Sequence, residues 1–287
     1  MTRVALFGGN GYLGSQLAAY LTAQGTEFDV FDIPTFDVTR TECWESFKAG
    51  DYSTILFFAG MTGTEKSFTD AERFLDVNEH GLLNLLTRLV PLGSRAPKII
   101  FPSTRLVYRG ADYPLTEDAP KEAKTVYAVN KLACEYLLHA YHVHYGIPYV
   151  VLRICVPYGS IVPHDYSYGT IGMFIRQAKE RGEIQLYGGG VQCRTFTSAP
   201  DICRIVLKLA LGNVIGIFNI GGESMSLYEA ATLVVQKIGG VVRSVPWPAS
   251  ALALESGSTV FDYKKLNVAL GSEIKFEKMS DYIEHGF

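Results

Sequence analysis

The sequence lacks any apolar run approaching the ~20 residues that a membrane-spanning helix requires. It also lacks an excess of positive charge, since 26 Lys and Arg stand against 29 Asp and Glu for a formal net charge of -3. Without a basic patch or run, nucleic acid and anionic membrane surfaces are not expected partners. No C-x-x-C pair occurs among Cys43, Cys134, Cys155, Cys193 and Cys203, and an odd, scattered set suits a reducing compartment. These cysteines read as packing residues. No basic, apolar and small-residue succession of a signal peptide precedes the first strand-like run, so a cytoplasmic setting is expected. His139, His142 and His144 have no carboxylate partner nearby in sequence and read as solvated helix residues, with no metal site.

What is present is a chain able to bury a large core: 48% of its 287 residues are hydrophobic and 12% aromatic. Val4-Ala5-Leu6-Phe7 has the length of a buried parallel strand and runs directly into Gly8-Gly9-Asn10-Gly11-Tyr12-Leu13-Gly14. Gly8 permits a tight turn, Gly11 lets backbone N–H groups approach a pyrophosphate at the positive end of the next helix, and Gly14 lets that helix pack closely on the sheet. A second strand over Phe28 to Phe31 ends at Asp32. A carboxylate there is placed to accept hydrogen bonds from adenosine ribose hydroxyls and to repel a 2′-phosphate, which favours NAD over NADP. Asp37 and Val38 follow, within reach of an adenine ring.

A third strand, Thr54 to Phe58, leads to Ala59-Gly60-Met61, small enough to pass close to a dinucleotide. A long helix is expected from about Thr69 to Val90, with Asn78 on its apolar face. The next strand, Lys98 to Phe101, ends in Pro102-Ser103-Thr104 and so sets hydroxyls at the carboxyl edge of the sheet, where ligands bind in open parallel sheets. A helix to about His144 then carries Tyr127 and Lys131. Four residues apart, these two share one face. A tyrosine of ordinary pKa near ~10 is a poor base at neutral pH, and a fixed ammonium beside it favours the phenolate. Tyr127 is therefore the candidate acid/base and Lys131 its tuning charge. A strand over Tyr149 to Arg153 closes this half, and the alternation of strands and helices predicts a doubly wound, Rossmann-type parallel sheet.

Past Val156 the elements shorten and loops multiply, with Pro157, Gly159, Pro163 and the stretch Tyr166 to Gly169, a helix over about Ile171 to Glu180, and a turn cluster at Tyr187-Gly188-Gly189-Gly190. Arg194 to Thr197 reads as a strand, Asp201 to Leu211 as a helix and Ile217 to Ile220 as a strand. Ser226 and Glu229 form a capping box, and short helices are expected near Asp262 to Leu270 and Met279 to His285. The expected division is a dinucleotide-binding domain over 1–155 and a smaller substrate domain over 156–287, interleaved with it.

Gly8-x-x-Gly11-x-x-Gly14, Asp32, Ser103-Thr104 with Val107-Tyr108 just after, Tyr127-x-x-x-Lys131, Arg153, Arg194 and Asp201 together resemble the extended short-chain dehydrogenase/reductases that act on nucleotide sugars. The resemblance spans nearly the whole chain. It implies bound NAD, with contacts from Gly8, Asn10, Gly11, Tyr12, Leu13, Gly14, Asp32, Asp37, Val38, Ala59, Gly60, Asn78, Ser103, Tyr127 and Lys131. It implies Thr104, Tyr127 and Lys131 as catalytic residues, and substrate contacts from Thr104, Val156, Tyr187 and Arg194, the last clamping a diphosphate. Dehydratases of this kind carry an Asp-Glu pair after the threonine, where this chain has Arg105 and Leu106. Val156 replaces a common asparagine, and Arg109 interrupts the usual tyrosine-glycine step. The leading expectation is an epimerase that transiently oxidises C4 of a nucleoside-diphosphate hexose. A 4-ketoreductase making a deoxysugar nucleotide is the second, and a non-catalytic dinucleotide-binding protein the third. The helices over 69–90 and 124–144 resemble those that pair such proteins into homodimers through a four-helix bundle.

Overall fold

The computed structural model describes residues 3–161 and 168–285. Pro163, Tyr166 and Ser167 lie outside the described residues. The chain divides into two compact units, one of which takes the chain up to Val107, Ala123–Arg153 and Cys203–Phe218. The other takes Tyr108–Glu122, Ile154–Ile202 and the chain from Asn219 onward. The two units thus alternate along the chain.

In the first unit the order is β1 (Val4–Phe7), α1 (Tyr12–Ala23), β2 (Phe28–Phe31), α2 (Thr41–Glu45), β3 (Thr54–Phe57), α3 (Lys66–Thr69), α4 (Ala71–Leu75), α5 (Gly81–Leu89), β4 (Lys98–Thr104), α6 (Val126–Tyr145) and β5 (Tyr149–Ile154). With β9 (Gly216–Asn219) these strands form one six-stranded sheet in the order β2-β1-β3-β4-β5-β9. The pairs β1 with β2, β1 with β3 and β3 with β4 are parallel. Every side chain of β1 and β3 is buried, which explains why these strands read as unbroken apolar runs and not as alternating ones. The order β2-β1-β3 reverses direction of travel beside β1, and such switch points open a ligand crevice at the carboxyl ends of the strands.

The core beneath that crevice is aromatic. Phe7 stacks on Phe31 at 4.8 Å and on Trp44 at 5.2 Å between ring centroids, and Phe36 meets Trp44 edge-on at 5.0 Å. Lys98, buried at the start of β4, donates to the Leu209 carbonyl (2.6 Å) and to that of Gly212, so a cation caps the carboxyl end of α8 (Ala199–Leu211).

The single helix expected over 69–90 is broken. Asp70 leaves helical geometry (φ -130°, ψ 40°) between α3 and α4, and a π turn over Asp76–His80 precedes α5. The wide turn brings Asn78 inward, as π turns do at functional sites. Helix α6 is regular over its 20 residues: the Thr125 hydroxyl accepts from the Ala128 amide at 3.0 Å, and Gly146, at φ 75°, ends it.

The second unit holds β6 (Val156–Tyr158), α7 (Gly169–Arg181), β7 (Glu183–Tyr187), β8 (Cys193–Ser198), β10 (Glu223–Ser226), α9 (Leu227–Ile238), β11 (Val241–Val245), α10 (Ala249–Leu254), α11 (Lys264–Ala269) and α12 (Met279–His285). Its sheets are small, β10-β8-β6 and β11-β7. The capping box of Ser226 and Glu229 at the start of α9 is complete in both directions. The segment Tyr108–Glu122 is tied in by Asn219, whose side chain accepts from the Tyr108 hydroxyl (2.7 Å) and donates to the Leu115 carbonyl (2.8 Å).

Candidate active site

In the first unit a cleft of about 840 Å³ is lined by Gly8, Asn10, Gly11, Asp32, Asp37, Val38, Ala59 and Gly60, among others. Eight expected cofactor residues thus meet on one surface. The turn between β1 and α1 requires its glycines. Gly8 has φ 82°, and a Cβ there would lie 2.4 Å from the Ala59 nitrogen. At Gly14 a Cβ would lie 1.9 Å from the Gly8 carbonyl oxygen. Tyr12 and Leu13, half-buried, open α1, whose first turn carries neither a side-chain cap nor an acidic residue. The positive end of that helix is suited to an anion.

Asp32 is held by two backbone amides: Asn10 N–H donates to Oδ2 at 2.7 Å and Ile33 N–H to Oδ1 at 2.8 Å. Each oxygen keeps a second lone pair for a hydroxyl donor. Asp37 accepts from the Thr39 amide and hydroxyl at 2.9 and 2.8 Å. The Val38 carbonyl accepts from Trp44 Nε1 and Asn84 Nδ2, both at 2.9 Å, so the cleft edge is fixed from below. These residues fit an adenosine and its pyrophosphate.

Lys131 is buried and brings its ammonium to the cleft wall, 3.8 Å from where a Cβ on Gly60 would sit. It lies 4.4 Å from the centroid of the Phe101 ring and 6.0 Å from that of Tyr127. Burial holds its pKa down to about 8, opposed by neighbouring Cys134 and Glu135. Tyr127 is half-buried, and its ring meets Phe74 edge-on at 6.5 Å. Thr104 ends β4 with its hydroxyl accepting from the Leu106 amide at 3.3 Å.

Three expected contacts have hydrogen-bond partners within the protein. Asn78 is buried, accepting from the Met61 amide at 2.7 Å and donating to the Met61 carbonyl at 3.1 Å, so it shapes the loop at the cleft. The Ser103 hydroxyl is taken by the buried carboxylate of Glu135. Arg194, expected to clamp a diphosphate, is buried and three of its five N–H donors are taken from within: it donates to Glu255 Oε1 at 2.6 Å, to the Gly257 carbonyl at 2.5 Å and to the Cys193 carbonyl at 3.0 Å. In this structure it ties β8 to the segment after α10. Val156 is buried in β6, opposite Phe196, and Tyr187 ends β7, 44% exposed with its ring 5.1 Å from Trp247.

Glu135 is the residue that sequence reasoning missed. It receives Arg153 through Nε to Oε1 at 3.0 Å and NH2 to Oε2 at 2.5 Å, with both side chains at most 3% exposed. This fork joins α6, β4 and β5 behind Lys131. The signal was available, since Glu135 stands one helical turn beyond Lys131 and Arg153 interrupts an apolar strand. His139 and His142 have local partners, the Tyr149 hydroxyl at 3.3 Å and the Ile147 carbonyl at 3.0 Å.

The model of the NAD dependent epimerase/dehydratase family matches residues 4–221, which take in the glycine turn, the Tyr127 and Lys131 helix and β8. The chain belongs to the NAD dependent epimerase/dehydratase family. Among members, it is 32% identical to human dTDP-D-glucose 4,6-dehydratase over 67% of this chain and 54% of that protein. It is 29% identical to UDP-glucuronate 4-epimerase of Thermodesulfobacterium geofontis over 76% of this chain and 65% of the relative. The chain thus spans about half the length of the human relative. Among solved structures, the NAD complex of UDP-glucose 4-epimerase from Thermus thermophilus superposes with a TM-score of 0.82 at 25% identity, covering 100% of both chains.

Proposed function

We propose that this protein is an NAD-dependent nucleotide-sugar epimerase that transiently oxidises C4 of a nucleoside-diphosphate hexose. The observation that carries the reading is the Tyr127 and Lys131 pair on one face of α6, with the Lys131 ammonium against the Gly60 wall of the glycine-lined cleft. NAD, when bound, supplies the hydride acceptor and donor. Tyr127 takes the proton from the sugar hydroxyl as its carbon is oxidised and returns it on reduction, a contribution of ~10²-fold to 10⁴-fold. Lys131 would hold the nicotinamide ribose and favours the phenolate, and Thr104 would hydrogen-bond the reacting oxygen. Asp32 accepts the adenosine ribose hydroxyls, and its charge opposes a 2′-phosphate.

The relatives' names support a nucleotide sugar as substrate, because two epimerases and a dehydratase of the family act on UDP- or dTDP-linked sugars. Arg105 and Leu106 after Thr104 favour an epimerase over a dehydratase, since expelling water needs an acid and a base placed for the leaving hydroxyl. Tyr187, exposed beside Trp247, and Val156 are the proposed substrate contacts of the second unit.

We further propose a homodimer through a four-helix bundle to which each copy gives α6 and the α4 to α5 segment. Val129, Tyr136 and Val143 recur every seven residues on α6 and are 50%, 64% and 70% exposed, an unusual apolar stripe for a monomer. A cytoplasmic setting is supported by five free thiols. No described helix is long and apolar enough to cross a membrane.

The test is to denature the purified protein, identify any released dinucleotide and follow turnover of a nucleotide-sugar panel. NAD that copurifies and is not consumed supports the epimerase. Net consumption of added NADH or NADPH with a keto sugar makes the protein a 4-ketoreductase, and a requirement for NADPH overturns the role given to Asp32.

A further inference from the structure

The cleft that fits the dinucleotide is acidic. Asp32, Asp37, Asp70 and Asp76 line it, and the cations in the same lining are Lys66, at the start of α3, and Arg73, inside α4. With the Lys131 ammonium at the Gly60 wall, four negative charges stand against three positive ones and leave this surface at -1, although a dinucleotide brings two phosphate charges of its own. The half charge at the start of α1 offsets only part of that repulsion.

Neither cation is neutralised among the described residues. Both are exposed, and among the described residues no side chain or backbone group takes the Lys66 ammonium or the Arg73 guanidinium in a hydrogen bond or ion pair. Three of the four carboxylates in the lining are engaged elsewhere among the described residues, and Asp70, between α3 and α4, is the one that is not. Asp76 pairs with His80 Nδ1 at 2.9 Å, Asp37 holds Thr39, and Asp32 holds the amides of Asn10 and Ile33. The backbone that carries Arg73 is nevertheless anchored, because the next residue, Phe74, is fully buried with its ring against Tyr127. Two unpaired cations on an anchored segment of an acidic cleft are chemically matched to a phosphate anion.

We propose that Lys66 and Arg73 bind the pyrophosphate of the dinucleotide, as a cationic rim in addition to the glycine turn. The inference rests on the reading of this cleft as the NAD site. It assigns two residues outside the glycine motif to cofactor affinity, and it makes that affinity depend on salt more steeply than amide contacts alone do.

The experiment compares the wild-type protein, Lys66→Ala, Arg73→Gln and the double variant by equilibrium titration with NAD, ADP-ribose and NADP at low and high salt. Urea unfolding midpoints of all four establish that the exposed replacements leave the fold intact. The expected result is an NAD and ADP-ribose Kd raised about tenfold in the double variant at low salt, and by less in each single one, as charge-assisted contacts at an open site allow. The difference narrows at ~0.5 M salt. An NAD Kd within twofold of wild type overturns the proposal. Loss confined to NADP also overturns it, by moving the rim to the adenosine 2′-phosphate. Wild-type protein that binds no dinucleotide removes the NAD reading and the rim together, whereas unchanged variants beside a binding wild type remove the rim alone.

Discussion

Lys131 illustrates how a functional charge costs stability. Its ammonium is buried, with no ion pair among the described residues, above the Phe101 ring, and its pKa falls from the ordinary 10.5 to about 8 because burial penalises the charged form. The folded-state value lies below the unfolded one, so the penalty is present in full below pH 8, where Lys131 is charged in both states. Between pH 8 and 10.5 the unfolded chain holds more protons than the folded one, and stability recovers as pH rises. At ~1.36 kcal/mol per tenfold change in proton affinity, the penalty at pH 7 is about 3 kcal/mol, and by pH 9.5 it has fallen to about half of that or less.

Lys131→Met keeps the apolar stem and removes the charge. With dinucleotide stripped from both proteins, the variant should be more stable than wild type at pH 7 by about 1 to 3 kcal/mol, the lower end allowing for the lost contact with Phe101. That advantage should shrink by about half at pH 9.5, while turnover is abolished. The measurement is urea unfolding followed by Trp44 fluorescence in a Trp247→Phe background, because Trp44 reports on the unit that holds Lys131. A variant less stable than wild type at pH 7, or an advantage equal at the two pH values, would refute the argument.

Tyr127→Phe should lower turnover by ~10²-fold to 10⁴-fold and leave the NAD Kd within twofold, checked by titration beside a coupled activity measurement. Unchanged turnover would remove the proton role. Arg194→Met should lower stability by about 3 kcal/mol, since it leaves Glu255 and two carbonyls without their buried donor. A raised KM with an unchanged unfolding midpoint would instead restore the diphosphate clamp. Ser226→Ala should cost about 1 kcal/mol through the lost capping box, read from the same urea curves. Tyr136→Glu should convert a dimer to a monomer in light scattering at micromolar concentration, and a wild-type mass equal to one chain would dispose of the dimer.

The sheet was legible because its signals are local. Buried parallel strands are apolar runs of four or five residues, and Gly8, Gly11 and Gly14 are where backbone meets backbone too closely for a Cβ. Asp32 was legible for the same reason, being placed by the end of a strand. The broken course from residue 66 to 89 was not legible, because its apolar pattern is that of a helix throughout. The break depends on Asp70 leaving helical geometry and on an extra residue in the turn that carries Asn78 inward.

Arg194 and Ser103 show a different limit. A motif names a residue and its strand but not the partner that a distant part of the chain supplies. The partner of Ser103 is Glu135, 32 residues on, and that of Arg194 is Glu255, 61 residues on. Both partners are carboxylates, and both fill donors that pattern alone assigns to a ligand. The same reasoning separates Lys66 and Arg73 from Arg194. All three are cations that a sequence cannot rank, but only the structure shows which of them is already answered from within and which face an acidic cleft unpaired. The Arg194 guanidinium gives three of its five N–H donors to internal acceptors and is 1% exposed. The pair proposed for the dinucleotide pyrophosphate, Lys66 on α3 and Arg73 on α4, is by contrast exposed at the cleft.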